Sequence, residues 1–160
     1  MKFRIATLLF FSWFTLYCSA QNNVFFSNWD TTPLQKYETR AVWLTTLGNL
    51  DWPKTLANSD ESREEQKREL IEILDKYAAA NINTVILQTR VRAATIYPSN
   101  IEPWDKCLTG RENGNPGYDP LAFAVEECHK RGMEIHAWLA AIPVGSYSSL
   151  GCKLLKQKGF

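Results

Sequence analysis

The sequence predicts an α/β fold, specifically the N-terminal portion, about three βα units, of a (β/α)8 TIM barrel. Three observations carry the prediction. Short runs rich in β-branched and aromatic residues alternate with two amphipathic helical segments, the pattern of consecutive βαβ units on a parallel sheet. No glycine-rich phosphate loop follows the first strand, which argues against a dinucleotide-binding sheet. Long polar, aromatic-rich segments follow the first two strands instead, at 47–61 and 91–118, where a barrel builds its active-site rim. A whole barrel takes about 250 residues. A chain of 160 residues is therefore expected to hold only its first part, truncated at the C-terminal end.

Residues 1–20 read as a signal peptide. A basic start ending at Arg4 precedes the apolar run "IATLLFFSWFTLY", and Cys18-Ser19-Ala20 puts small residues where a signal peptidase cuts. That run falls short of the about 18 residues of a membrane span, so no transmembrane anchor is expected. The alternative is a lipoprotein signal with Cys18 as the lipidated residue, which the bulky Tyr17 before it disfavours. Either reading exports the protein, to the periplasm, the cell envelope or the exterior. Residues 21–38 form a polar lead-in, and 39–160 the partial barrel domain.

The first strand is "RAVWLTT", Arg40–Thr46. The first helix spans about 63–80, with Leu70, Ile71, Ile73, Leu74 and Tyr77 at helical spacing and a capping box from Ser62 and Glu65. Glu64–Arg68 and Glu72–Lys76 have the four-residue spacing of ion pairs, and Asn81 is a stop. The second strand is "NTVILQ", Asn83–Gln88. The second helix spans about 120–131: Asp119 caps it, Pro120 suits its first turn, Tyr118 and Phe123 have staple spacing, and Gly132 ends it. "EIHAWLA", Glu134–Ala140, is the third strand.

Charge and cysteines exclude several classes. The chain carries 18 basic and 17 acidic residues, and loss of Lys2 and Arg4 with the signal takes the net charge from +1 to about −1. Such a balance offers no footprint for nucleic acid. Cys107, Cys128 and Cys152 remain, an odd number without C-x-x-C spacing, so neither a disulfide framework nor a zinc site is expected. No metal and no cofactor are predicted.

The segments "RAVWLTTLGNLDWP", "INTVILQTRVRAATIYPSNIEPWDKCLTG", "PGYDPLAFAVEECHKRGMEIHAWL" and "IPVG" resemble, in that order, the N-terminal part of the family 10 glycosyl-hydrolase-like domain of exported bacterial proteins. The resemblance implies a TIM-barrel hydrolase of glycans, with peptide-free peptidoglycan strands as a family-level substrate. It also implies that the domain continues beyond Phe160 through later strands with acidic ends.

Glycoside hydrolysis usually takes two carboxyl groups. Asp51, Glu102, Asp105, Glu112 and Asp119 lie in rim-like segments, but no pair among them identifies itself as acid and base, and Asp119 is best explained as a helix cap. Asp51 beside Trp52 fits a sugar site, the indole under a pyranose ring; it fits equally a turn aspartate with the Trp packed under the loop. Gln88 and Arg90 share a strand face and would reach the barrel mouth, Arg90 offering planar donors to hydroxyls or a carboxylate. The competing reading pairs Arg90 with a structural carboxylate. Arg92 is a further candidate ligand residue, and Tyr97 with Trp104 forms either a stacking platform or a loop anchor. His136 and Trp138 share a face of the third strand and complete the candidate substrate-binding set. A non-catalytic glycan-binding protein, or an inactive truncated fragment, is the alternative to an enzyme.

Overall fold

The computed structural model describes residues 38–143 and 145–159. The predicted signal peptide, with Cys18, and nearly all of the predicted lead-in lie outside the described residues. Within the unit 39–160 the elements are β1 (Ala41–Leu44), a short 3-10 turn (Leu47–Asn49), α1 (Asp60–Ala79), β2 (Thr84–Val91), β3 (Ala94–Thr95), α2 (Pro120–Lys130), β4 (Glu134–Leu139) and α3 (Leu150–Gln157).

β2 is the centre of a mixed sheet. It pairs in parallel with β1, Leu44 opposite Leu87, and in parallel with β4, Ile86 opposite His136. Among these parallel strands spatial order follows chain order, so the described sheet contains no reversal of the kind that marks a doubly wound fold. α1 connects β1 to β2 and α2 lies between β2 and β4, as βαβ crossovers require.

Strand alternation separates the two faces. Leu44, Val85 and Leu87 are buried with Leu70 and Leu74 of α1 and with Ala124 and Cys128 of α2. Each of these leucines and Val85 contributes about 1.5–3 kcal/mol relative to exposure, so this layer holds sheet and helices together. The opposite face carries Trp43, Ile86, His136 and Trp138. It bears no described helix, and Trp43 is 58% exposed.

Helix ends follow side-chain chemistry, with one correction. α1 begins a turn earlier than predicted: Ser59 is its N-cap and forms the capping box with Ser62, whose N–H it accepts at 3.2 Å. Asp60 and Glu61 then place negative charge in the first turn, where the helix dipole favours it. The predicted Glu64–Arg68 and Glu72–Lys76 ion pairs do not form among the described residues; Glu64 pairs with Lys67 and Glu65 with Arg68, three residues apart. Asn81 does stop the helix, in the left-handed conformation at φ 58°. At α2 the Asp119 carboxylate accepts from the N–H groups of Leu121 and Ala122, both at 3.0 Å, and Tyr118 meets Phe123 edge to face.

Cys107, Cys128 and Cys152 are free thiols. Cys107 and Cys128 are core residues, and burial pushes the Cys128 thiol up to about 11. Among the described residues no helix is long and apolar enough to cross a membrane.

Candidate functional site

The C-terminal ends of β1 and β2 open onto the long segments that follow them. Instead of ending at Gln88, β2 runs on to Val91, turns through Arg92 and Ala93, and returns as β3, with Val91 opposite Ala94. Both turn residues are left-handed, at φ 55° and 56°. Two-residue hairpins of this kind normally recruit Asn or Gly, because L side chains crowd the backbone there. An Arg-Ala turn gives no sequence signal, and the segment therefore reads as a loop. β3 in turn bridges to Trp104: Thr95 N–H donates to the Pro103 carbonyl at 3.0 Å, and Asp105 N–H to the Thr95 carbonyl at 2.8 Å.

A cavity of about 640 Å3 lies against this hairpin. One wall is the 3-10 turn Leu47–Asn49, where Asn49 Nδ2 donates to the carbonyls of Pro53 at 2.6 Å and Cys107 at 2.8 Å. Another is the stretch 103–107 with Trp104, Asp105 and Lys106; Glu112 adds a carboxylate and Arg92 a guanidinium. Gly145 and the start of α3 close the remaining side. α3 comes this close because Gly151 has no side chain: a Cβ there would collide with the Ala93 carbonyl. The sequence reading missed α3. Its signal was Ser149 before "LGCKLL": Ser149 is the N-cap, and its side chain accepts from Cys152 N–H at 3.4 Å.

The structure divides the nine predicted site residues into three groups. Arg92 and Trp104 line the cavity. His136 and Trp138 lie on the helix-free sheet face, where Trp138 meets Trp43 edge to face at 4.9 Å between ring centroids. His136 is exposed, its Nε2 3.5 Å from a Glu134 carboxylate oxygen.

Of the other five, Trp52, Asp51, Gln88 and Arg90 hold local structure through their side chains. Trp52 is 0% exposed and donates its indole N–H to the Gln66 carbonyl at 2.9 Å, so no ring face is free to receive a sugar. Asp51 accepts Thr45 N–H at 2.8 Å, as a turn aspartate does. Gln88 does not aim at an open mouth: its Oε1 accepts from the Thr45 hydroxyl at 2.7 Å and from the N–H groups of Thr46 at 3.1 Å and Leu47 at 2.9 Å. A single side-chain oxygen thus shapes the end of β1. Tyr97 is half-buried beside the hairpin, its carbonyl accepting the Thr95 hydroxyl at 2.8 Å.

Arg90 is a clamp. Its Nε and Nη2 donate to the two Glu102 oxygens at 2.8 and 2.5 Å, while Nη1 donates to the carbonyls of Ala140 at 2.5 Å and Ala141 at 3.1 Å. The hydrogen bonds to Glu102 are the main reason its pKa lies above the ordinary arginine value. A register shift places it so: Gln88 faces Trp138, but Arg90 faces Leu139, one extra β2 residue against β4. Such a bulge breaks the simple alternation that would aim Gln88 and Arg90 at one target.

The five carboxylates of the long segments after β1 and β2 sort the same way. Asp51, Glu102 and Asp119 serve Thr45, Arg90 and the α2 cap, and Asp105 accepts Cys107 N–H at 2.7 Å. Glu112 is exposed on the cavity and has no hydrogen bond to the described residues. No group of His, Cys, Asp and Glu among the described residues could hold a metal ion.

Comparison with known proteins adds three findings. The model of the family described as glycosyl hydrolase-like 10 matches residues 38–157. Glycosyl hydrolase YngK of Bacillus subtilis (strain 168) is 46% identical over 101 residues, covering 63% of this chain and 19% of that protein. Glycosyl hydrolase DigH of Escherichia coli (strain K12) is 39% identical over 112 residues, covering 68% of this chain and 26% of its own length. The aligned stretch is thus about a fifth to a quarter of each relative's length.

Proposed function

The chain belongs to the glycosyl hydrolase-like 10 family, and from that premise we propose that it forms one sector of a (β/α)8 barrel whose rim binds a glycan for hydrolysis. The observation that carries this reading is the cavity at the C-terminal ends of β1 and β2, lined by Arg92, Trp104, Asp105 and Glu112. Barrel enzymes keep their chemistry on that face. An aromatic ring, charged donors and carboxylates together suit a polyhydroxylated ligand with apolar ring faces. Two features favour a barrel: the parallel strands follow chain order, and the described helices cover one sheet face while Trp43, His136 and Trp138 face the other way.

In this reading the segment binds and the rest of the protein cuts. Four of the five rim carboxylates are occupied in holding local structure, so an acid and base flanking the scissile bond come from strands beyond this stretch. Trp104 supplies a ring beside the sugar, and Arg92 and Glu112 supply hydrogen-bonding groups. The substrate proposed is the peptide-free glycan strand of peptidoglycan. Residues 1–20 export the protein to meet it, with signal-peptidase cleavage before Gln21.

Incubating the full-length protein with peptide-free glycan strands tests this, and new reducing ends are the expected product. Binding without new ends would favour a glycan-binding protein, the second reading. Neither binding nor cleavage would overturn both.

A further inference from the structure

We propose that Arg92 is the specificity-determining residue of the cavity, that it contacts a carboxylate of an acidic sugar, and that the left-handed turn beneath it is retained for that contact. The proposal rests on the glycan reading above and deepens it.

The turn itself does not account for an arginine. Positions 92 and 93 both sit where glycine or asparagine is favoured, at φ 55° and 56°. Ala93 has a packing reason to be there: it is 0% exposed, and Gly151 of α3 seats directly on it. Arg92 has none. It is exposed, it lines the cavity, and its guanidinium makes no hydrogen bond or ion pair with the described residues. Arg90, two positions earlier, shows what a structural arginine looks like in this protein, with Nε, Nη1 and Nη2 all bonded. Non-glycine residues in disfavoured backbone regions cluster at ligand sites, because the strain persists only where something else requires the side chain.

The stem of Arg92 is packed, and the cavity of about 640 Å3 that it lines leaves room for a ligand. Gly145 abuts the Arg92 stem, and a Cβ there would come within 3.3 Å of the Arg92 Cβ. The cavity's charged lining is balanced, Arg92 and Lys106 against Asp105 and Glu112, so it is not a diffuse trap for anions. Selection of an acidic sugar then falls to the planar fork of Arg92, which matches a carboxylate with two parallel hydrogen bonds as an ammonium cannot.

Arg92→Gly separates function from structure, because glycine suits the backbone while removing the fork. The probes are peptide-free glycan strands and the same strands with their carboxylates chemically reduced to alcohols. Full-length wild-type protein should bind or cut the carboxylate form roughly ten- to a hundredfold better. Arg92→Gly should lose that preference with its melting temperature unchanged or raised by about 2–4 °C, and Arg92→Lys should keep only part of the preference. The proposal falls if wild type handles both strands equally, if Arg92→Gly keeps the preference, or if Arg92→Gly melts several degrees lower. If wild type neither binds nor cuts either strand, the glycan reading itself fails and takes this one with it.

Discussion

Glu102→Ala removes both carboxylate oxygens from Arg90 and tests whether that pair clamps the segment after β2 to the end of β4. The side chains of Arg90 and Glu102 are only 12% and 10% exposed. Two hydrogen bonds vanish, the 2.8 Å contact from Nε and the 2.5 Å contact from Nη2. The guanidinium is left with the Ala140 and Ala141 carbonyls, which carry no net charge. Breaking one partner of a buried pair costs about 3–5 kcal/mol; the residual exposure admits water, so about 3 kcal/mol is expected here. Urea unfolding followed by tryptophan fluorescence should show it as a midpoint lowered by roughly 2 M at an unchanged slope. Added salt should change the difference little, because a buried pair is weakly screened. Arg90→Met with Glu102→Leu should recover most of the loss, since no charge is then stranded. A Glu102→Ala protein within about 0.5 kcal/mol of wild type, or a double variant no better than the single one, would refute the clamp.

Gln88→Leu strands the N–H groups of Thr46 and Leu47 and the Thr45 hydroxyl. We expect a loss of about 2–4 kcal/mol in the same unfolding assay, and weaker glycan binding as the Leu47–Asn49 wall shifts. Glu127 on α2 has its pKa lowered by hydrogen bonds from Lys130 and Arg131. Its contribution is therefore present above the ordinary carboxylate range and is lost as pH falls through the depressed folded value. Glu127→Gln should be clearly less stable than wild type at pH 7, and the gap in melting temperature should close as the pH is lowered below about 4; a gap independent of pH would mean that charge is not the cause.

The sequence by itself determined the order of the main elements and the punctuation of α2. These depend on neighbours in the chain: apolar spacing sets a helix face, Asp119 reaches N–H groups two and three residues ahead, and Asn81 tolerates a left-handed backbone. The family, too, was legible in contiguous motifs. Candidate site residues were legible as types but not as destinations. Trp52 and Arg92 both read as ligand residues in polar segments, yet one is in the core and the other on the cavity. Only the tertiary structure decided between them, because burial and pairing depend on residues distant in sequence. Trp52 is fixed by the carbonyl of Gln66, Arg90 by Glu102 and by carbonyls about fifty residues away, and Gln88 by the end of a different strand. A one-residue bulge opposite β4 and an Arg-Ala turn without a turn signature did the rest. Local periodicity assumes regular pairing, and a bulge or a strained turn redirects side chains at the point where that regularity stops.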